Sequence, residues 1–252
     1  MTTVARSRST RRYDDLFFSG LAVLFLVYVF IGFARSYYLA GLFKAPLPNT
    51  LLHVHGAVFS LWVLLLIAQT SLVSAGRVDV HRRLGVLGFG LACVMVVLGV
   101  LVANDQLLRF AAHPPAEHPG IEAVRAFYAI PLGEILMFGT LVYFSFRNRS
   151  RPAVHKRLML IATIVLVEAA VIRWPIFDSF AVAESVIDAL YVVPLLLLLM
   201  AYDWWSTGRV QVVTLWAGAF AVVGQQARYL IGHTGLWQTF AAWVQTWAFS
   251  FQ

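Results

Sequence analysis

A histidine followed by two cations occurs twice in this chain, as Val80-His81-Arg82-Arg83-Leu84 and as Val154-His155-Lys156-Arg157-Leu158, each time between long apolar runs. Two imidazoles brought face to face could supply both axial ligands of a haem b. Arg82, Arg83, Lys156 and Arg157 are the group types that hold propionate carboxylates. The plainer reading of the same triplets is a cytoplasmic anchor whose cations reach the lipid headgroups. A second set of candidates lies inside apolar runs: His53, His55, Glu134, Glu168, Arg173, Asp188, Gln225, Gln226 and Arg228. A charged group in a membrane span costs about 2.5 to 3.5 kcal/mol on insertion scales, so each is a functional candidate by default. His53, His55, Glu134 and Glu168 offer two imidazoles and two carboxylates, a donor set that suits Zn, Mn, Fe or Cu. His53 and His55 stand about 200° apart around a helix, so no more than one of them can face a small ion. His55 precedes Gly56, which admits a flat macrocycle or a neighbouring helix. Against these stand structural readings: Glu168 and Arg173 as an intramembrane ion pair, with Glu134 or Asp188 as partner, and Gln225 and Gln226 as hydrogen-bonding glue between helices.

Only a membrane scaffold can position these groups. With 60% hydrophobic and 12% charged residues, the chain lies far outside the composition of soluble domains. Continuous apolar runs near 17–34, 51–73, 84–103, 124–146, 158–174, 186–202 and 210–231 predict an all-α polytopic protein of seven transmembrane helices in a single domain. Arg6, Arg8, Arg11 and Arg12, then Arg77, Arg82 and Arg83, then Arg147, Arg149, Arg151, Lys156 and Arg157 all fall on one side of those spans. The opposite segments carry Lys44, then Asp105, Arg109, Glu117, Glu122 and Arg125, then Asp178 and Glu184. The positive-inside rule puts the N-terminus in the cytoplasm and the C-terminus outside, in a bacterial inner membrane. The net charge of +7 then reports topology and attraction to anionic lipid, with no nucleic-acid partner. Residues 1–16 read as a basic cytoplasmic segment ahead of a retained first span. The single cysteine, Cys93, reads as packing. The Pro-rich stretch Asn104 to Glu122 reads as an exposed outer loop, and 232–252, with Trp237, Trp243 and Trp247, as an interfacial helix.

On that topology the second set of candidates falls at one depth, in the outer half, and five helices contribute to it; a cavity open to the outer face is the expectation. Pro131 and Pro194 interrupt helix hydrogen bonding in the fourth and sixth spans, and Pro131 stands beside Glu134. The offset of 74 residues between His81 and His155 also relates 51–103 to 125–174. The second to fifth helices therefore read as an internally duplicated four-helix core, two parallel repeats about an axis along the membrane normal.

The residues His53-Val54-His55-Gly56, Trp62, Gln69, His81-Arg82-Arg83-Leu84-Gly85 and His155-Lys156-Arg157-Leu158-Met159 resemble those of a group of small bacterial polytopic membrane proteins. In outline the second to fifth helices look like the four-helix transmembrane cytochromes b. That resemblance implies haem b and electron transfer, and the residues themselves make His55, His81 and His155 the favoured ligands. The chain departs from it in lacking paired axial histidines at both faces. Three functions are therefore expected in order: a redox protein binding haem b or a transition metal, an accessory subunit of a larger membrane assembly or homo-oligomer, and a small-solute transporter. The lysine that would carry retinal, paired histidine boxes and phosphate-binding glycine loops are all missing from the sequence.

Overall fold

In lipid a continuous apolar run can satisfy its backbone only as a helix or a closed barrel, and these runs lack the alternation of barrel strands. The computed structural model describes residues 8–46, 48–116, 119–177 and 183–249, and all the regular elements among them are helical. In chain order they are α1 (Arg8–Phe33), a π-helical turn (Ala34–Tyr38), α2 (Ala40–Phe43), α3 (Thr50–Ser74), α4 (Val78–Ala112), α5 (Ile121–Arg147), α6 (Pro152–Val171), α7 (Glu184–Thr207), α8 (Val212–Gly232) and α9 (Gly235–Phe249). Their boundaries follow local chemistry. The Asn49 side chain caps α3 by accepting from Leu52 N at 2.8 Å, Pro152 opens α6, and Gly208 closes α7 in the left-handed region at φ 71°.

Five helices are long and apolar enough to cross a membrane: α1 with its π turn (Arg12–Tyr38), α3, α4, α5 and α7. With 20 and 21 residues, α6 and α8 have a comparable length, but they carry Lys156, Arg157 and Glu168, and Gln225, Gln226 and Arg228. Their polarity reflects where they sit. The helices α1, α3, α4, α5, α8 and α7 form a ring of neighbours, closed between α7 and α1 by Tyr202 stacked on Phe17 and by Tyr191 against Tyr28. Inside it, α6 packs on α1, α5, α7 and α8, and Trp62 of α3 donates to Thr163 of α6 at 3.2 Å. Of the 20 residues of α6, 13 are buried, so apolar side chains on all its faces have partners. Its counterpart by the His-basic spacing, α4, stands in the outer ring instead.

One expectation changes. The stretch Asn104 to Ala112 is helix, not loop, because its first proline is Pro114; α4 therefore runs 35 residues. Asp105 and Arg109 pair on its extension at 2.8 Å. The C-terminal α9 is 15 residues long, too short to span at 1.5 Å per residue. It buries Ala241 and Val244 against Ala103 and Leu107 of α4 and Val124 and Tyr128 of α5. Trp237 Nε1 donates to Arg125 O at 2.7 Å. Cys93 is exposed on α4. Arg6, Glu117, His118 and Asp178 lie outside the described residues, as do the last three residues of the tail and the side chains of Arg8 and Arg11.

Candidate functional site

Polar side chains gather at both ends of α6. Near its C-terminal end, Glu168 meets a guanidinium that reaches it from α8. Arg228 Nη2 donates to Glu168 Oε1 at 2.8 Å and Oε2 at 2.6 Å, and to Asp188 Oδ2 of α7 at 2.8 Å. Its Nη1 donates to Ile130 O of α5 and its Nε to Gln225 O, both at 3.2 Å. Every guanidinium nitrogen is thus engaged. Gln225 Nε2 adds a bond to Glu168 Oε2 at 2.8 Å, and Tyr229 Oη reaches Asp188 Oδ2 at 3.4 Å. Glu168, Asp188, Gln225 and Arg228 are all 3% exposed or less, so this network lies inside protein, where a charge must be paired and hydrogen-bonded.

Glycines make the approach feasible. A Cβ at Gly133 of α5 would stand 2.5 Å from Arg228 Cγ, one at Gly224 of α8 would meet Met137, and one at Gly232 would lie 2.5 Å from the Ala126 carbonyl. The α5–α8 crossing depends on these missing side chains, as small residues permit in membranes. Glu134, next to Gly133, is half-buried and lies within electrostatic reach of Glu168, Asp188 and Arg228. It has neither a hydrogen bond nor an ion pair among the described residues. The layer therefore contains three carboxyl groups, two of them in contact with the one guanidinium of Arg228.

Three of the buried side-chain atoms left without a hydrogen-bond partner belong to this layer: Asp188 Oδ1, Gln225 Oε1 and His55 Nδ1. The depth of His55 follows from the Trp62–Thr163 contact. Because α3 and α6 run oppositely, His55 and Glu168 lie about 10 and 8 Å from it toward the same face at 1.5 Å per residue. The His55 ring stacks on Phe59 at 3.9 Å. Gly56 accommodates Tyr37 of the π turn, whose ring would stand 3.0 Å from a Cβ there.

The remaining candidates sit elsewhere. His53 is exposed; its ring lies 5.4 Å from that of Tyr37 and its carbonyl accepts from Tyr37 Oη at 3.1 Å. Arg173 is exposed too. It donates to the Ala169 carbonyl and lies over the Phe33 ring at 5.2 Å, so the partner of Glu168 is Arg228 and not Arg173. Gln226 Nε2 donates to Ser185 O at 3.1 Å, tying α8 to α7. Among the described residues no three His, Cys, Asp or Glu side chains converge as a metal site. An apolar groove of about 540 Å³ between α4 and α5, lined by Phe89, Cys93, Ile135, Gly139 and Tyr143, touches none of these groups.

At the opposite end of α6, His155 and His81 each stand one turn into their helix, with ring centres 6.3 Å apart and planes at 77°. Two imidazoles on one ion would have ring centres about 6 Å apart, from metal–nitrogen bonds of about 2.0 Å. The hydrogen bonds at Nδ1 differ, however. His155 Nδ1 lies 3.1 Å from Ser145 O and 2.8 Å from Ser145 Oγ; a carbonyl can only accept, so this nitrogen carries the proton and Nε2 is free for a metal. The Gln69 amide is satisfied when its Oε1 accepts from Gly85 N at 3.0 Å and its Nε2 donates to His81 O at 3.2 Å and His81 Nδ1 at 2.5 Å. His81 Nδ1 then accepts and its proton sits on Nε2. Nε2 is therefore free to ligate at His155 and protonated at His81, so the two do not form a bis-imidazole haem pair as they stand.

The two cations after His155 are committed to other partners. Arg157, 1% exposed, is paired through Nη2 and through Nε at 2.8 Å with Asp203 Oδ1 of α7, and its Nη1 donates to Ala153 O at 2.7 Å. Asp203 Oδ2 accepts from Thr214 Oγ1 at 2.6 Å and Gln211 N at 3.1 Å. Lys156 pairs with Asp14 of α1 at 2.9 Å, which also accepts from Tyr202 Oη at 2.5 Å. Arg82 and Arg83 are exposed. No protein-family model, curated protein or solved structure matches this chain.

Proposed function

We propose that this is a seven-span protein of the bacterial inner membrane, N-terminus cytoplasmic and C-terminus outside, that binds and transports a small solute at the Glu168, Asp188 and Arg228 layer. The lengths of α6 and α8 and the alternating charge of the loops support that topology. The duplication of the α3–α4 and α5–α6 pairs is supported by His81 and His155 standing at the same place in their helices. The observation that carries the transport reading is the pair of orphaned acceptors, Asp188 Oδ1 and Gln225 Oε1, each on a residue 1% exposed. Buried polar atoms are rarely left without partners unless a ligand or water completes them. Both are acceptors, and carboxyl groups outnumber the guanidinium around them, so the complementary solute is a small cation or amine rich in N–H donors. Pro131 lies inside α5 less than one turn from Glu134 and gives the helix a hinge point beside the site.

The test is ligand-dependent thermal stabilisation of the protein in nanodiscs across a panel of small amines and monovalent cations, followed by uptake into proteoliposomes. Glu134→Gln or Glu168→Gln should abolish uptake. No stabilisation by any member, together with co-purifying membrane subunits, would favour an accessory role instead. A second reading, a redox protein with haem b or a transition metal on His155, is favoured by the Ser145 carbonyl holding Nδ1. Oxidised and dithionite-reduced absorption spectra with metal analysis decide it: a Soret band lost in His155→Ala supports it, and a colourless, metal-free protein removes it.

A further inference from the structure

The charge arithmetic of the layer leads beyond solute binding. Glu168 Oε2 and Asp188 Oδ2 accept from one and the same nitrogen of Arg228, at 2.6 and 2.8 Å, so the two oxygens are at most 5.4 Å apart. Two carboxylates this close, away from water, do not both ionise readily, and such pairs hold one proton between them. Arg228 neutralises one negative charge. Among the described residues the second has no cation in hydrogen-bond range: Arg173 lies within electrostatic reach of Glu168 and Glu134 but donates to the Ala169 carbonyl and lies over Phe33, and His55 is stacked on Phe59. Glu134 from α5 adds a third acid, and Glu184 opens α7 on the same side. Tyr229 of α8 donates to Asp188, while Tyr191 of α7 spends its hydroxyl on Ile164 O at 3.0 Å and lies beside Tyr28 of α1. None of these supplies positive charge.

Gln225 is the independent sign of where the proton goes. Its amide is 1% exposed and anchored on Glu168 through Nε2, while Oε1 has no donor. Asp188 Oδ1 likewise has none. A proton on Asp188 Oδ1 converts that orphaned acceptor into a donor. We infer that Glu168 and Asp188 form an intramembrane dyad that shares a single exchangeable proton. The geometry requires no metal, and the proton is a ligand distinct from any transported solute.

The test is infrared difference spectroscopy of the full-length protein in nanodiscs at neutral pH, in H2O and D2O. The expected result is a protonated-carboxyl stretch that shifts in D2O, is lost in both Glu168→Gln and Asp188→Asn, and persists in Glu134→Gln. Absence of such a band from the wild-type protein at neutral pH overturns the dyad without recourse to any variant. A band that survives both dyad substitutions and disappears in Glu134→Gln also overturns it, placing the proton on Glu134. No solute is present in this measurement, so a positive band with no solute stabilisation would leave the dyad standing and remove the transport reading alone.

Discussion

Removing Asp203 alone should damage the fold more than removing Arg157 and Asp203 together. Arg157→Met leaves the Asp203 carboxylate buried with its Oδ1 side bare, although Thr214 and Gln211 still hold Oδ2. Asp203→Leu is worse, because it strands a guanidinium that keeps only the Ala153 carbonyl and also deprives the Thr214 hydroxyl and Gln211 N–H of their acceptor. Breaking one side of a buried pair costs about 3 to 5 kcal/mol, and each orphaned neutral donor adds about 1 to 3 kcal/mol. Arg157→Met should therefore fall near the lower figure and Asp203→Leu at or above the upper one. In the double variant no charge is stranded, and an apolar pair of similar bulk replaces an ionic one, so its loss should be smaller than that of Asp203→Leu alone. Reversible unfolding in mixed detergent micelles, followed by circular dichroism, gives all three values. Single losses below about 1 kcal/mol, or effects additive within about 0.5 kcal/mol, would show that the pair does not bear on stability and would refute the reasoning.

Other substitutions probe the remaining contacts. Gly133→Ala should push the Arg228 side chain from its place and cost about 1 to 3 kcal/mol by overpacking, with a lowered melting temperature as the readout. Gly139→Ala, 3.1 Å from a single Val96 methyl, should cost less. Trp62→Phe and Thr163→Val should each lose about 0.6 to 1.7 kcal/mol of unfolding free energy, as interhelical hydrogen bonds in membranes do, and the pair together should lose little more than either. Gln69→Leu should move the 15N resonances of the His81 ring and leave those of His155 in place. In a Cys93→Ser background, cysteines at Arg82 and Asn148 should label only from the cytoplasmic side and one at His113 only from outside; the reverse pattern would invert the topology.

Much of the polar layer can be read from the chain, because an ionisable residue inside an apolar run is conspicuous. Glu134, Glu168, Asp188, Gln225 and Arg228 are all visible by depth, and the helical angle between His53 and His55 already separates them. Depth says nothing of azimuth, however, so Arg173 and Arg228 compete equally for Glu168 until the helices are packed. The Arg157–Asp203 pair is hidden for a different reason: Arg157 reads as one cation of a loop motif, and Asp203 lies at the end of an apolar run where topology alone would explain a charge. Each is the other's explanation, 46 residues apart. Helix α4 reads as ending at 103 because a Pro-rich segment comes after it, yet helix persists until a proline intervenes, and α9 then has an extended wall to pack on.

The encircled position of α6 bears on how the protein is made. A helix carrying Arg157 and Glu168 gains little by entering lipid alone, and their partners are supplied by helices synthesised later: Asp203 on α7 and Arg228 on α8. Insertion of α6 is therefore coupled to the arrival of those two helices, either by waiting at the translocation machinery or by entering transiently with unmatched charges. A nascent chain halted after residue 175 has the helices through α6 but neither counter-charge, and quality-control proteases should recognise it as unfinished. Addition of α7 and α8 would then seal the membrane core and complete the site in one step.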